Sequence, residues 1–109
     1  MPAADYTRSV MAEPSLTVFA EFRAKPGNEQ ELGGLLRRLI EPTRQERGCL
    51  QYELHVDDEQ PGHFLFYETW TSMAELEAHA ASPHFTDFQT RSAHLLAEPL
   101  RIVFASRVS

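Results

Sequence analysis

The sequence predicts an α+β domain of the order β-α-β-β-α-β, a ferredoxin-like fold in which an antiparallel sheet carries helices on one face. Two observations predict it. Four segments alternate between apolar and polar residues as strands do, and two longer segments repeat apolar residues with the helical period. The 109 residues suffice for one domain with a modest core. We therefore predict a single domain over residues 15–109 and a flexible arm over residues 1–14, which are polar and lack a period.

The first strand and helix occupy the N-terminal half. Residues 16–24 alternate as a strand, and Asn28 with Glu31 is typical of a capping box at a helix start. The helix carries an apolar stripe made of Leu32, Leu35, Leu36, Leu39 and Ile40. Pro42 should kink or interrupt it, and Gly48 is a suitable C-terminal cap.

A hairpin is predicted next, with strands at 50–56 and 63–71 joined by a polar turn at 57–62. One face of the second of these strands carries three aromatic rings and a single carboxylate, at Phe64, Phe66, Glu68 and Trp70. An ionised carboxylate that is dry and unpaired costs several kcal/mol. We therefore expect Glu68 to have a partner or to face a cavity.

The second helical unit is predicted in two pieces. Ser72 with Glu75 forms a second capping box, and Ser82 with Pro83 restarts the helix. The predicted buried side of the first piece is formed by Met73, Leu76 and Ala80. One face of the second piece carries Phe85, Phe88, Ser92, Leu95 and Leu96. A last strand is predicted over residues 100–108.

The other face of the predicted sheet is also apolar. It carries Phe19, Leu65, Tyr67, Val103 and Ala105. A sheet covered on one side only should show polar residues on its second face. We therefore predict that a second copy of the chain buries this face in a homodimer.

Composition excludes several classes of partner. The net charge of −6 argues against nucleic acid, because phosphate binding needs a basic surface. No apolar run approaches the roughly 20 residues of a membrane span, so no membrane partner is predicted. Residues 1–14 lack the apolar region of a secretory signal, and Cys49 is the only cysteine. Together these features predict a cytoplasmic protein.

The sequence predicts no metal and no other cofactor. None of the five histidines forms a His-x-x-x-His pair, and His79 and His84 stand five apart across a proline, which is poor spacing for metal ligands. There is no glycine-rich phosphate loop and no Gly-x-Ser-x-Gly motif. Cys49 has no obvious base nearby, which favours a small buried thiol over a nucleophile.

A candidate site lies where the third strand meets the following helix. Glu68, Trp70 and His79 converge there, each of which alone is more often structural than functional. An imidazole with a pKa near neutrality is suited to accept a phenolic or enolic proton at pH 7. The group therefore predicts a pocket for proton chemistry on a small ring-shaped molecule.

Five motifs together resemble the antibiotic-biosynthesis monooxygenase domain family, over about residues 16–107. They are Phe22–Gly27, Glu46–Tyr52, Phe66–Trp70, His79 and Ser82–Phe85. The branch of small quinol monooxygenases and autoinducer-degrading isomerases is the most similar. The resemblance implies a dimeric α/β barrel, a pocket between sheet and helices, and oxygenation of quinol-type or polycyclic aromatics without metal, flavin or haem. A deprotonated hydroxyarene can itself reduce O2, so such an enzyme need only bind, deprotonate and desolvate.

The chain departs from the better-understood members of that family. Phe66 stands where anthrone-oxidising members have a catalytic Asn, and Phe22 lies near the strand-one Asn of haem-degrading members. Arg91 is only a loose counterpart of the Arg in the last helix of the anthrone enzymes. Neither mechanism therefore carries over intact.

The predicted roles follow from the candidate site at the junction of strand and helix and from the family resemblance. His79 is the predicted base, Glu68 the group that orients His79 or holds the loop, and Trp70 and Phe66 the walls that stack on the ring. Further predicted substrate-binding residues are Phe22, Tyr52, His84, Phe85 and Phe88. The predicted partners are a small aromatic or quinol-like substrate and O2.

Two other functions remain open at this point. One is an isomerase of a small keto-sugar signal molecule on the same scaffold. The lack of a basic cluster near the pocket weighs against a phosphorylated ligand. The other is a non-enzymatic dimer that binds a hydrophobic metabolite.

Overall fold

The structure, a computed structural model, describes residues 15–109; the predicted arm over residues 1–14 lies outside them. The described elements are β1 Leu16–Arg23, α1 Glu29–Arg38, α2 Ile40–Arg44, β2 Cys49–Asp57, β3 Gln60–Trp70, α3 Met73–Ala80, α4 Pro83–Ser92 and β4 Arg101–Ala105. This order and the antiparallel sheet confirm the predicted ferredoxin-like α+β fold. Within the described part of the chain, no helix is long and apolar enough to cross a membrane.

The sheet has the strand order β2-β3-β1-β4, with antiparallel neighbours throughout. In its register Tyr52 lies opposite Glu68, Glu68 opposite Val18, and Val18 opposite Phe104. Directly opposed residues of antiparallel strands point to the same face. A single row of side chains therefore crosses the whole sheet, and Glu68 is its only charged member.

The core lies between this face and the helices. The nearly fully buried strand residues are Val18, Ala20, Phe22, Tyr52, Phe64, Phe66, Glu68 and Trp70. The helical layer adds Leu32, Leu36, Leu39, Phe85, Phe88 and Leu95. The predicted stripes of the first helix and of the restarted helix are thus confirmed in their central residues.

The first helix is interrupted, as Pro42 predicts. α1 ends at Arg38, and Pro42 is the third residue of α2. In a first turn the missing proline N–H costs no helical hydrogen bond. The predicted capping box at Asn28 is wrong, because the Asn28 side chain makes no cap hydrogen bond. Its backbone ψ of 14° is not the extended conformation of a capping residue, and Glu29 instead accepts from the Gly27 N–H at 3.0 Å.

The hairpin turn is tighter than predicted. β3 begins at Gln60, which pairs with Asp57, so that only two residues turn. The Asp57 carboxylate accepts the Glu59 N–H at 2.8 Å, which closes the turn locally. Pro61 and Gly62, which suggest a loop in the sequence, therefore lie in the strand.

Both helices α3 and α4 begin at the predicted serine caps, and at Ser72 the structure shows the serine half of the predicted capping box. Ser72 accepts the Glu75 N–H at 3.2 Å, and Ser82 accepts the Phe85 N–H at 3.3 Å. Ser82 also donates its hydroxyl to the carbonyl of His79 at 2.7 Å. The end of α3 is thereby tied to the start of α4.

The last strand is shorter than predicted, because β4 ends at Ala105. Among the described strands it forms the edge of the sheet next to β1. Its two residues on the helix side, Ile102 and Phe104, remain 47% and 56% exposed. The helical layer therefore leaves this edge of the core face open.

We expect Gly48→Ala to destabilise the fold by at least about 1–3 kcal/mol, which is the usual cost of a non-glycine residue in a left-handed backbone conformation. Gly48 has φ of +88°, and a Cβ there would lie 2.5 Å from Glu75 Cγ and 2.7 Å from Thr71 Oγ1. The matched control is Gly34→Ala in α1, where a Cβ meets nothing within 4 Å. That change should stabilise by roughly 0.5–1 kcal/mol. Urea unfolding measures the change in the free energy of unfolding for both variants. Equal changes would contradict the left-handed, crowded environment assigned to Gly48.

Candidate active site

A cavity of about 250 Å³ opens between the sheet, α3, the first turn of α4 and β4. Its apolar lining consists of Val18, Ala20, Phe22, Met73, Leu76, Ala80, Phe85, Leu100, Ile102 and Phe104. Its polar lining consists of Tyr52, Glu68, Glu77 and His79. Among the described residues, no Lys or Arg contributes to this lining. The cavity therefore suits a small apolar ligand with one or two polar atoms.

Glu68 has both a partner and a cavity, the two alternatives that the sequence offered. The Trp70 indole N–H donates to Glu68 Oε1 at 2.9 Å, because residues two apart in β3 share a face. Burial raises the pKa of the Glu68 carboxyl to about 7, against the opposing effect of the Trp70 N–H and with help from the Glu46 charge. Near neutral pH this carboxyl is therefore divided between its acid and its anion.

His79 is the one buried residue of α3, with 4% of its surface exposed. The prediction that Met73, Leu76 and Ala80 form the buried side of this helix is wrong. Met73 and Ala80 are exposed and Leu76 is half-buried, because the side they share faces the cavity instead of a packed core. The sequence pattern located the correct side of the helix but not what lies opposite it.

Aromatic rings surround the His79 imidazole. Its ring centroid lies 4.9 Å from that of Trp70, 5.0 Å from that of Phe85 and 5.6 Å from that of Tyr52. This burial lowers the pKa of His79, and the hydrogen-bonded carboxylate of Glu46 opposes the shift. A neutral imidazole, which can accept a proton, is thereby favoured.

Glu46 is a residue of this site that the sequence analysis did not name as a candidate. Its Oε2 lies 2.8 Å from His79 Nδ1, so the hydrogen-bond partner of the imidazole is Glu46. The sequence predicts for Glu68 either this orienting role or that of holding the loop. Glu46 stands between α2 and β2, where its N–H donates to the Thr43 carbonyl at 3.0 Å. It belongs to the segment Glu46–Tyr52 that carries the family resemblance, but no local pattern links it to His79, which lies 33 residues away.

His84 reaches the same carboxylate from α4. Its Nε2 lies 2.5 Å from Glu46 Oε2, and the donor atoms of Glu46, His79 and His84 all lie within 4.8 Å of one another. Two imidazoles and a carboxylate are a set that could hold a divalent metal ion. The spacing of the two histidines in the sequence is poor for metal ligands, but the helix break at Ser82 brings both imidazoles to Glu46.

Four of the predicted site residues do not line the cavity. They are Phe66, Trp70, His84 and Phe88. Phe66 stacks on Tyr52 with centroids 4.2 Å apart, and Phe88 packs edge-on against Phe22 at 5.6 Å. Phe66 and Trp70 are fully buried, so they support the wall from behind and do not form it as predicted. Phe22, Tyr52 and Phe85 line the cavity, as do Glu68 and His79.

Cys49 is a half-buried thiol at the start of β2. Burial, with the nearby charges of Glu46 and Glu68, raises its pKa to about 11. A thiol with a raised pKa is a poor nucleophile at neutral pH. This favours the structural interpretation of the only cysteine.

The model of the antibiotic biosynthesis monooxygenase family matches residues 15–91. Among curated proteins, the uncharacterized protein sll1783 of Synechocystis is 35% identical over 91 residues, 84% of this chain. The chain spans only 62% of the length of that relative. The protein named Probable quinol monooxygenase YgiN of Escherichia coli is 33% identical over 79 residues, covering 63% of this chain and 76% of its own.

Solved structures share the whole fold. The crystal structure of PA3566 from Pseudomonas aeruginosa superposes with a TM-score of 0.85 at 36% sequence identity. The superposition covers 89% of this chain and 97% of that one. The fold that carries the cavity is therefore shared with a relative of similar length.

We expect the pH dependence of stability to reveal the buried Glu68. The native carboxyl has a pKa of about 7, against an ordinary value of 4.5 in the unfolded chain, so between these pH values the native state holds more protons than the unfolded state. Stability should therefore fall as pH rises through this window, by on the order of 3 kcal/mol, and Glu68→Gln should remove that fall.

The measurement is the difference in free energy of unfolding between the parent and Glu68→Gln from pH 4.5 to 8. The lowered pKa of His79 gives a slope of opposite sign below its ordinary value, and this slope cancels in the difference. Glu53→Gln, whose parent side chain is 48% exposed, is the control and should leave the slope unchanged. A difference that is independent of pH would contradict the buried-carboxyl assignment.

Proposed function

The chain belongs to the antibiotic biosynthesis monooxygenase family, and from this we propose that it oxidises a quinol or similar small hydroxyarene with O2, without metal, flavin or haem. One observation carries the proposal: His79 and Glu68, a base and a half-protonated acid, open onto the same apolar cavity of about 250 Å³. A cavity of about 150 Å³ can bind benzene, so a substituted ring fits here. The name of the YgiN relative, a quinol monooxygenase, supports the substrate class.

The proposed reaction begins with proton transfer. His79 Nε2 accepts the proton of a ring hydroxyl, and the protonated fraction of Glu68 donates a hydrogen bond to a second polar atom of the ligand. The deprotonated ring gives an electron to O2, and the radical pair recombines into a carbon–oxygen bond. That ring carbon then loses its hydrogen as a proton and the O–O bond breaks, so that one oxygen atom stays on the ring. The other leaves as water with one proton from the ring carbon and one from the ring hydroxyl. The quinol becomes a hydroxyquinone, and the substrate supplies all four electrons that reduce O2.

The apolar walls contribute to this chemistry in two ways. They hold the ring by burying its surface, with the rings of Phe22, Tyr52 and Phe85 in the lining and those of Tyr52 and Phe85 beside His79. They also exclude water, which strengthens the interactions of the deprotonated ring with the few polar groups present. The protein needs only to bind, deprotonate and desolvate.

The active unit is proposed to be a homodimer. The sheet face away from the helices exposes 39% of Phe19, whose ring packs against Tyr67 with centroids 5.5 Å apart. Leu65 and Val103 on the same face are only half-buried. A second copy of the chain would cover this apolar surface.

The cytoplasmic location stays a prediction from sequence.

Oxygen uptake tests the reaction. With 1,4-hydroquinone as the probe and protein dialysed against a chelator, we expect enzyme-dependent consumption of O2 and one labelled oxygen atom in the product from ¹⁸O2. His79→Ala should lower kcat by about 10²–10⁴, the usual loss of general-base help, with a much smaller change in KM. His55→Ala, whose parent side chain is 61% exposed, is the control and should keep full activity.

Each other outcome has a distinct meaning. Near-full activity of His79→Ala would remove His79 from the mechanism. Proton exchange into a keto-sugar without oxygen uptake would favour the isomerase. Ring binding without turnover would favour the non-enzymatic binding protein.

Sedimentation tests the dimer. At micromolar concentration the parent should sediment as a dimer, and Tyr67→Asp should shift it toward monomer by placing an unpaired charge in the interface. Gln89→Asp, on the exposed side of α4, is the matched control and should remain dimeric. A parent protein that sediments as a monomer would contradict the proposed homodimer.

A further inference from the structure

We propose that Glu46 is a positioning residue of this site, which holds His79 with its proton on Nδ1 and a free Nε2 toward the cavity, while His84 keeps Glu46 in place. The inference rests on the proposed function for the direction of proton transfer. Its structural content, the tautomer of His79 and its dependence on Glu46, stands independently of the substrate.

The contact between Glu46 and His79 determines the tautomer. An ionised carboxylate has no hydrogen to donate, so the 2.8 Å contact of Oε2 with Nδ1 requires the imidazole to be the donor. A neutral imidazole that carries its proton on Nδ1 has its lone pair on Nε2. Within the described part of the chain, Nε2 of His79 makes no hydrogen bond, whereas His79 itself lines the cavity.

His79 lies at the cavity, and Glu46 and His84 lie behind it, farther from the cavity. His79 lines the cavity, but Glu46 and His84 do not. The side chains of Glu46 and His84 are 16% and 23% exposed, against 4% for His79. Glu46 therefore meets the ligand only through His79, which makes it a positioning residue and not a catalytic one.

His84 restrains the carboxylate from its second side. Its Nε2 lies 2.5 Å from the same oxygen that contacts His79. A glutamate side chain has several rotatable bonds, and two donors converging on one oxygen hold it in a single orientation. Ser82, which caps α4 and donates to the His79 carbonyl, sets the distance between the two imidazoles through the backbone.

Glu46 also compensates the charge that the reaction creates. When Nε2 accepts a proton, His79 becomes an imidazolium in a buried, aromatic surrounding, which disfavours charge. The charged or titratable side chains around it are Glu46, His84 on α4 and Tyr52 on β2, together with Glu68 on β3 and Glu77 on α3, which line the same cavity. Of these, only Glu46 is hydrogen-bonded to the ring in a way that stabilises the cation.

The first experiment uses the unmodified protein and no substrate. The ¹⁵N chemical shifts of the His79 ring near pH 7.5 should show a protonated Nδ1 and an unprotonated Nε2. Protonation of Nε2 alone would overturn the proposal, whatever the activity. In Glu46→Gln, which keeps an oxygen acceptor but loses the charge, the midpoint of the His79 titration should fall by about one to three pH units.

The second experiment separates positioning from mere stability. Glu46→Gln should lower kcat for 1,4-hydroquinone at least about tenfold, following the weaker base, with KM nearly unchanged. Glu41→Gln, the same substitution on the exposed side of α2, is the matched control and should not alter kcat. His84→Ala keeps the contact between Glu46 and His79 and should therefore lower kcat less than Glu46→Gln does. A Glu46→Gln protein that is less stable but has the parental kcat and His79 titration would overturn the proposal.

The outcomes separate this inference from the proposed function. If the tautomer and its shift are found but no oxygen is consumed, the proposed reaction fails and the positioning role stands. If oxygen is consumed but Nε2 of His79 carries the proton, the positioning role of Glu46 fails and the proposed reaction stands. One zinc ion per chain retained through purification, and lost in His84→Ala, would assign the three donors to a metal ion and overturn the positioning role.

Discussion

Burial of the aromatic face of β3 is the constraint on which the rest of this structure depends. Phe66 and Trp70 are fully buried between sheet and helices, and Glu68 stands between them on the same face. A strand cannot bury its neighbours at i−2 and i+2 without burying the residue between them. The core thus forces a carboxyl into a buried position. Its raised pKa and its hydrogen bond from Trp70 are consequences of the packing.

The same packing leaves a gap where the helical layer ends. α3 presents His79 as its one buried residue, and the side that carries Met73 and Leu76 faces open space toward β4. Among the described strands β4 lies at the edge of the sheet, and no other strand or helix of residues 15–109 covers Ile102 and Phe104. The cavity therefore has a rigid aromatic floor and a more open apolar mouth, an arrangement that allows a small ring to enter.

The break between α3 and α4 connects this cavity to a polar group behind it. A continuous helix would place residues 79 and 84 on different sides, since five residues turn about 500° at 3.6 residues per turn. The cap at Ser82 changes the direction of the chain, so that both imidazoles meet the carboxylate of Glu46. A local capping signal thus has a long-range result, the assembly of three polar side chains from two separate parts of the chain.

The sequence by itself determined the order of the elements, the face that β1 and β3 bury and the caps at Ser72 and Ser82. These depend on periodicity and on local hydrogen bonds, which act within a few residues. It also pointed to Glu68 and His79, because a lone carboxylate among aromatic rings and a histidine beside an apolar stripe are visible locally.

Tertiary structure alone decided which partner each polar group has and which aromatic residues reach the cavity. Glu46 meets His79 across 33 residues of chain, a contact that no periodic pattern encodes. Trp70 and Phe66 share a face with Glu68, but the depth of the core places them behind Tyr52 and His79 and away from the opening. Periodicity specifies the direction of a side chain, whereas its distance from a cavity depends on how the layers pack.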